Sequence, residues 1–122
     1  MNISAAERLV MEALWRRHPL TADQIVLSVV KRQAWTAATV KTLINRLLTK
    51  KAIAAERDGR RYLYSPLLRR DDYVHAESKG LLDRLFDGRL APLVSHFSER
   101  KQLTKRDIAE LKELLKELDH DH

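Results

Sequence analysis

From Val40 to Leu48 the apolar residues Val40, Leu43, Ile44, Leu47 and Leu48 fall at i, i+3, i+4, i+7 and i+8, which is one buried face of a helix. Thr36 stands where an N-cap belongs, so the helix is expected to begin there. Its opposite face carries Ala38, Thr39, Lys41, Thr42, Asn45, Arg46, Thr49 and Lys50, a mixture of cations, small residues and short donors and acceptors with no carboxylate. Such a face can enter a major groove. Small side chains let the backbone approach closely, Thr and Asn bond base edges or phosphates, and Arg pairs in bidentate fashion with a guanine edge. Arg46 suits base reading and phosphate clamping equally well, whereas Lys50 and Lys51 suit phosphate contact or solvent. No acidic residue occurs from Gln24 to Ala55, as a surface facing a polyanion requires.

The neighbouring segments complete a recognisable order. Ser4-Ala5-Ala6-Glu7 fits a capping box that opens a first helix from about Ala5 to Arg17, with its stripe at Ala6, Leu9, Val10, Ala13 and Leu14 and with Met11 and Trp15 widening it. Pro19 stops that helix, and Thr21-Ala22-Asp23-Gln24 caps a second one carrying Ala22, Ile25, Val26 and Val29. After the third helix, Ile53 to Arg57 and Arg60 to Pro66 flank Asp58-Gly59, a pair that supplies the positive dihedrals of a tight hairpin turn. Arg57, Arg60 and Arg61 cluster at its tip. Trp35 is expected to pack the core, and Tyr62 and Tyr64 to cover it rather than stack on bases. Helix, helix, basic helix, basic hairpin is the order of a winged helix-turn-helix, in which the third helix reads DNA and the hairpin is the wing.

The second half has another character. Residues 1–70 hold 14 Lys and Arg against 5 Asp and Glu, whereas residues 71–122 hold 9 against 12. A helix is expected from Asp71-Asp72 to Gly88, a short one with Pro92 in its first turn, and a last one capped by Thr104. The apolar residues Leu81, Leu82, Leu85, Phe86, Leu111, Leu114, Leu115 and Leu118 are too many for three helices to hide among themselves. They are expected to pack against a second copy of the chain. Asp119 to His122 reads as a frayed polar end. The fold class is therefore mainly α with a small β-hairpin: a winged helix-turn-helix domain at residues 1–67 and a helical dimerisation arm at residues 68–122.

Several chemistries are excluded or unsupported. With no cysteine there is neither a disulfide nor a thiolate site, and a reducing compartment, the cytoplasm, is expected. Glu7, Arg8 and Glu12 interrupt the apolar stretch near the amino terminus, unlike the core of a signal peptide. The five histidines are scattered, so no metal or other cofactor is expected. No Gly-rich phosphate loop, HExxH or GxSxG is present, which argues against an enzyme. The rival from another class is a protein-interaction module whose basic face meets an acidic surface.

The residues also resemble a known family. The similar pieces are Leu9-Val10-Met11 with Leu14-Trp15, Pro19-Leu20-Thr21-Ala22, Trp35 to Leu43, Arg46 to Lys51, Asp58 to Pro66, Asp72-Tyr73, Leu90 to Val94, and Leu103-Thr104. As an ordered set they resemble the penicillinase-repressor family of winged-helix regulators. That resemblance implies a homodimer on a double-stranded DNA operator with dyad-related TACA/TGTA-type half-sites. It also implies that Thr39, Lys41, Thr42 and Arg46 are the main recognition contacts, with Arg60 and Arg61 serving the wing. Thr36, Ala38, Asn45 and Lys50 join them as expected DNA-contacting residues. Antibiotic-responsive members are controlled by a membrane sensor metalloprotease and are inactivated by cleavage in a Leu-Val-x-Asn-Phe segment. Here the matching bond is His96-Phe97, with His in place of Asn. The absence of cysteine excludes the copper-thiolate induction of other members. Members often have Gly after the recognition helix, where this chain has Ala52. A left-handed cap at Ala52 would cost about 1 kcal/mol more than at Gly, so a different or longer helix end is expected.

Overall fold

The computed structural model describes residues 1–121. The elements follow in the order α1 (Ala5–Arg16), α2 (Ala22–Val30), α3 (Ala37–Thr49), β1 (Ile53–Asp58), β2 (Arg61–Pro66), α4 (Arg70–Leu85), α5 (Leu90–Glu99) and α6 (Lys105–Asp121). Two compact units result, Met1–Val74 and His75–His122, and the division falls inside α4 rather than at Leu67/Leu68. Leu68 and Tyr73 account for the shift. Both pack against the core of the first unit, the Leu68 carbonyl accepts a 2.8 Å hydrogen bond from the Trp15 indole, and the Tyr73 ring lies 5.4 Å from that of Trp15. Asp119 to Asp121 belong to α6 rather than to a frayed end, and His122 lies outside the described residues.

In the first unit the three helices enclose Val10, Met11, Leu14, Ile25, Val29, Val40, Leu43, Ile44 and Leu47, all buried. Both expected capping boxes form, Ser4 with Glu7 and Thr21 with Gln24, so each of these helices starts with two backbone donors satisfied. The buried stripe of α1 is Glu7, Val10, Met11, Ala13 and Leu14. Met11 is fully buried and Leu9 only half-buried, the reverse of what the spacing predicts, and a carboxylate occupies a core position.

The hairpin pairs Ile53 with Pro66 through to Asp58 with Arg61. Its two turn residues are therefore Gly59 and Arg60, one place later than expected. Only Gly59 there has positive φ, at 66°, which suits the turn type with Gly at the first central position. Leu20 adds a third rung by exchanging two backbone hydrogen bonds with Tyr64, of 3.0 and 2.7 Å, so the wing is fastened to the α1–α2 connection.

The end of α3 differs from the expectation at Ala52. Lys51 has φ of 62°, its N–H donates to the Leu48 carbonyl, and the Ala52 N–H donates to the Leu47 carbonyl. This is a Schellman cap whose left-handed residue is Lys51, while Ala52 is buried beneath it. The family's Gly position thus needs no left-handed conformation here. Because a side chain at positive φ is strained, Lys51→Gly is expected to stabilise the first unit by about 0.5–1 kcal/mol, read as a rise of a few degrees in Tm.

No residue from His75 to His120 is buried. Within this second unit, Leu93, Val94, Phe97, Leu103, Leu111 and Leu114 line one groove. Leu81, Leu82, Leu85, Phe86, Leu90 and His96 line another. No helix among the described residues is long and apolar enough to cross a membrane.

Candidate nucleic-acid interface

The buried face of α3 fixes where its other face points. With Val40, Leu43, Ile44 and Leu47 in the core, Ala38, Thr39, Lys41, Thr42, Asn45, Arg46 and Thr49 all stand in solvent. Thr36 caps the helix, its hydroxyl accepting from the Thr39 N–H at 3.2 Å and lying 3.1 Å from the Thr39 hydroxyl. Thr42 and Thr49 each donate their hydroxyl proton to the carbonyl four residues back, Ala38 and Asn45, at 3.0 Å. These threonines keep acceptor lone pairs for a ligand but have committed their donors. Lys41, Asn45 and Arg46 have side chains with no hydrogen bond or ion pair among the described residues, so their donors are unspent.

Two concave surfaces flank this face. Thr42, Asn45, Arg46, Thr49 and Lys50 line one along α3. Lys41 closes the other with Thr21, Ala22 and Asp23 at the start of α2 and with Arg61, Tyr62 and Tyr64 of the wing. Tyr64 packs on the core as expected, whereas Tyr62 is 49% exposed and forms part of this second surface. The period-two alternation put both tyrosines on one side of the strand but held no information about where the core ends beneath them.

The cations of the wing divide. Arg61 is held by Asp58 at 3.1 Å and Arg57 by the Gly59 carbonyl at 3.1 Å. Arg60 is exposed at the turn with no partner among the described residues.

Lys50 is where the structure departs most from the expected set. Its ammonium is 2.6 Å from Glu7 Oε1 and donates to the Asn2 carbonyl at 2.7 Å, so it is an internal counter-ion rather than a free cation. Glu7 is 2% exposed. Burial pushes the Glu7 carboxyl up, but the Lys50 ammonium and the Ser4 N–H and hydroxyl outweigh it and hold the carboxyl below the ordinary glutamate range. Position 7 is i to Val10, Met11 and Leu14 at i+3, i+4 and i+7, a pattern in the sequence that marks it as buried and hence in need of a cation.

The comparisons with known proteins agree with this architecture. The family model for the penicillinase repressor matches residues 3–117. The chain belongs to the penicillinase-repressor family. The penicillinase repressor of Bacillus licheniformis is 31% identical over 116 residues, covering 95% of this chain and 91% of the relative. The methicillin resistance regulatory protein MecI of Staphylococcus aureus (strain N315) is 30% identical, covering 93% of each chain. The solution structure of monomeric Bacillus licheniformis BlaI in complex with the blaP half-operator aligns with a TM-score of 0.54 at 29% identity, over 60% of this chain and 89% of that one. The penicillinase-repressor family is one of transcriptional repressors rather than enzymes, and its winged-helix fold is the one found here.

Proposed function

We propose that this penicillinase-repressor family member is a homodimeric transcriptional repressor that binds a pseudo-palindromic operator of double-stranded DNA in the cytoplasm. In each protomer α3 enters the major groove, with Lys41, Asn45 and Arg46 supplying free donors to base edges and phosphates. Thr36, Ala38, Thr39 and Thr42 line the close approach, and Arg60 and Arg61 of the wing meet neighbouring backbone. The observation that carries this reading is the outward face of α3, on which Lys41, Arg46 and the Asn45 amide are unpaired among the described residues, with small residues between them and no carboxylate. A BlaI relative of similar fold is solved in complex with its blaP half-operator, which supports double-stranded DNA as the ligand.

Dimerisation belongs to the second unit, because none of its residues from His75 to His120 is buried, so its core is incomplete in the protomer and is completed by apposing the leucines of α4 and α6 to a second copy. Two-fold symmetry of the protein then matches dyad symmetry of the operator. Relief of repression would follow from cleavage at His96-Phe97 by a membrane sensor metalloprotease of the kind the family resemblance implies. Both residues are exposed, but their bond lies inside α5, so the protease must unwind that helix to reach it.

A fluorescence-anisotropy titration tests the central claim. The wild-type protein should prefer a pseudo-palindromic duplex over a scrambled one, with affinity falling steeply as salt rises. Arg46→Ala should weaken operator binding by about 1–3 kcal/mol per protomer while leaving the thermal melt unchanged. Equal weak affinity for every duplex would end the specific-repressor reading.

A further inference from the structure

Of the fourteen Lys and Arg in residues 1–70, only Arg8, Lys50, Arg61 and Arg70 have a carboxylate within ion-pair distance among the described residues. Four of the remaining cations, Arg16, Arg17, Lys31 and Arg32, line a single cleft between the end of α1 and the outer face of α2. All four are exposed, no carboxylate lines the cleft among the described residues, and Arg16 reaches across it to the Ser28 hydroxyl at 3.4 Å. A cation at a helix C-terminus stabilises the helix dipole, which accounts for Arg16 and Lys31. It does not account for a second cation on each helix end, or for all four facing one concavity where they repel one another. Such a concentration of unpaired positive charge is stable only because water screens it, and it is poised to bind a polyanion.

We propose that this cleft is a second DNA-backbone site, engaging phosphates that border the groove entered by α3; the inference rests on the reading given under Proposed function. In a helix-turn-helix the helix before the reader crosses the phosphate backbone, and α2 is that helix. Lys31 and Arg32 follow it directly, and Arg32 precedes the Thr36 cap of α3 by four residues, a reach of at most about 14 Å. This short connection keeps Lys31 and Arg32 beside the start of α3, so phosphates flanking the groove that α3 enters are the ones the cleft would engage. The cleft carries charge, a hydroxyl and no acid, and its one amide, Gln24, accepts from the Thr21 N–H in the capping box of α2, so the cleft adds affinity and register rather than sequence preference.

The test uses the full chain and a duplex selected by the wild-type protein from a random pool. Lys31→Gln with Arg32→Gln, and separately Arg16→Gln with Arg17→Gln, are titrated against that duplex and a scrambled one over a range of NaCl. Phosphate-ethylation interference is mapped in parallel, and circular dichroism melts confirm that each variant folds. The expected result has three parts: the slope of log affinity against log salt falls by about 0.9 for each contact removed, interference disappears at a discrete group of phosphates, and the preference for the selected duplex is retained. An unchanged slope and interference pattern in variants that fold would overturn the cleft assignment while leaving the repressor reading intact. A wild-type protein with no preference among duplexes would overturn both.

Discussion

If the chain dimerises as proposed, replacing Leu115 and Leu118 with Asp is expected to give a monomer and to lower operator affinity by about 100- to 10,000-fold. Both side chains are exposed in the protomer, at 59% and 52%, so the change does not disturb packing within the second unit. Leu111 is a poorer probe, because it lines the groove with Leu93, Val94 and Phe97 and a charge there would damage the protomer itself. Four carboxylates brought to a two-fold apolar interface must be desolvated, a cost added to the loss of the leucine contacts. The effect on DNA is larger than any single contact because two linked half-site interactions become two independent ones, and the effective concentration that joins them is lost. Sedimentation gives the oligomeric state and anisotropy the affinity. An intact dimer after the double substitution would remove α6 from the interface.

The second large effect concerns stability. Lys50→Met leaves the Glu7 carboxylate buried without its cation, and the expected loss is about 2–3 kcal/mol, below the usual range for a fully buried pair because the Lys50 side chain is 35% exposed. For a unit of this size that corresponds to a fall of roughly 10 °C or more in Tm. The direction of the pH dependence follows from the Glu7 carboxyl lying below its ordinary value in the folded protein. Its contribution to stability is fully present above the unfolded value of about 4.3 and is lost as the pH drops through the lower folded value. The stability gap between wild type and Glu7→Gln should therefore be wide at neutral pH and close under acid conditions. A gap independent of pH would mean that the Glu7–Lys50 pair does not carry it. Operator binding by Lys50→Met at neutral pH separates the two roles of this residue: a folded variant that binds with an unaltered salt slope has lost a structural cation, not a phosphate contact.

Much of the fold was legible because its signals are local. The 3.6-residue spacing of Val40, Leu43, Ile44 and Leu47 determines which side of α3 is buried, and through that which side is free. Ser4 with Glu7, Thr21 with Gln24 and Thr104 with Asp107 satisfy backbone donors within three residues, so the starts of α1, α2 and α6 are each written in four consecutive positions. The hairpin was legible for the same reason, although its turn lies at Gly59-Arg60. The register is decided by cross-strand pairs such as Ile53 with Pro66, which no dipeptide rule contains.

The candidate site was legible only in part. Sequence determined the charge, size and hydrogen-bonding type of every side chain on the face of α3. Tertiary structure decided which of those groups are still available. Lys50 and Glu7 are 43 residues apart and meet because α1 and α3 pack together, and the cost of burying a carboxylate then claims the nearest cation. Arg61 is claimed by Asp58 across the turn, whereas Lys41, Asn45, Arg46 and Arg60 keep their donors because they have no partner among the described residues. The cleft of Arg16, Arg17, Lys31 and Arg32 was equally invisible, since its cations come from two helices brought side by side by the buried faces of α1 and α2. Periodicity and capping act over a few residues and can be read along the chain. The partners of charges are set by packing between distant segments, and only the folded structure reveals them.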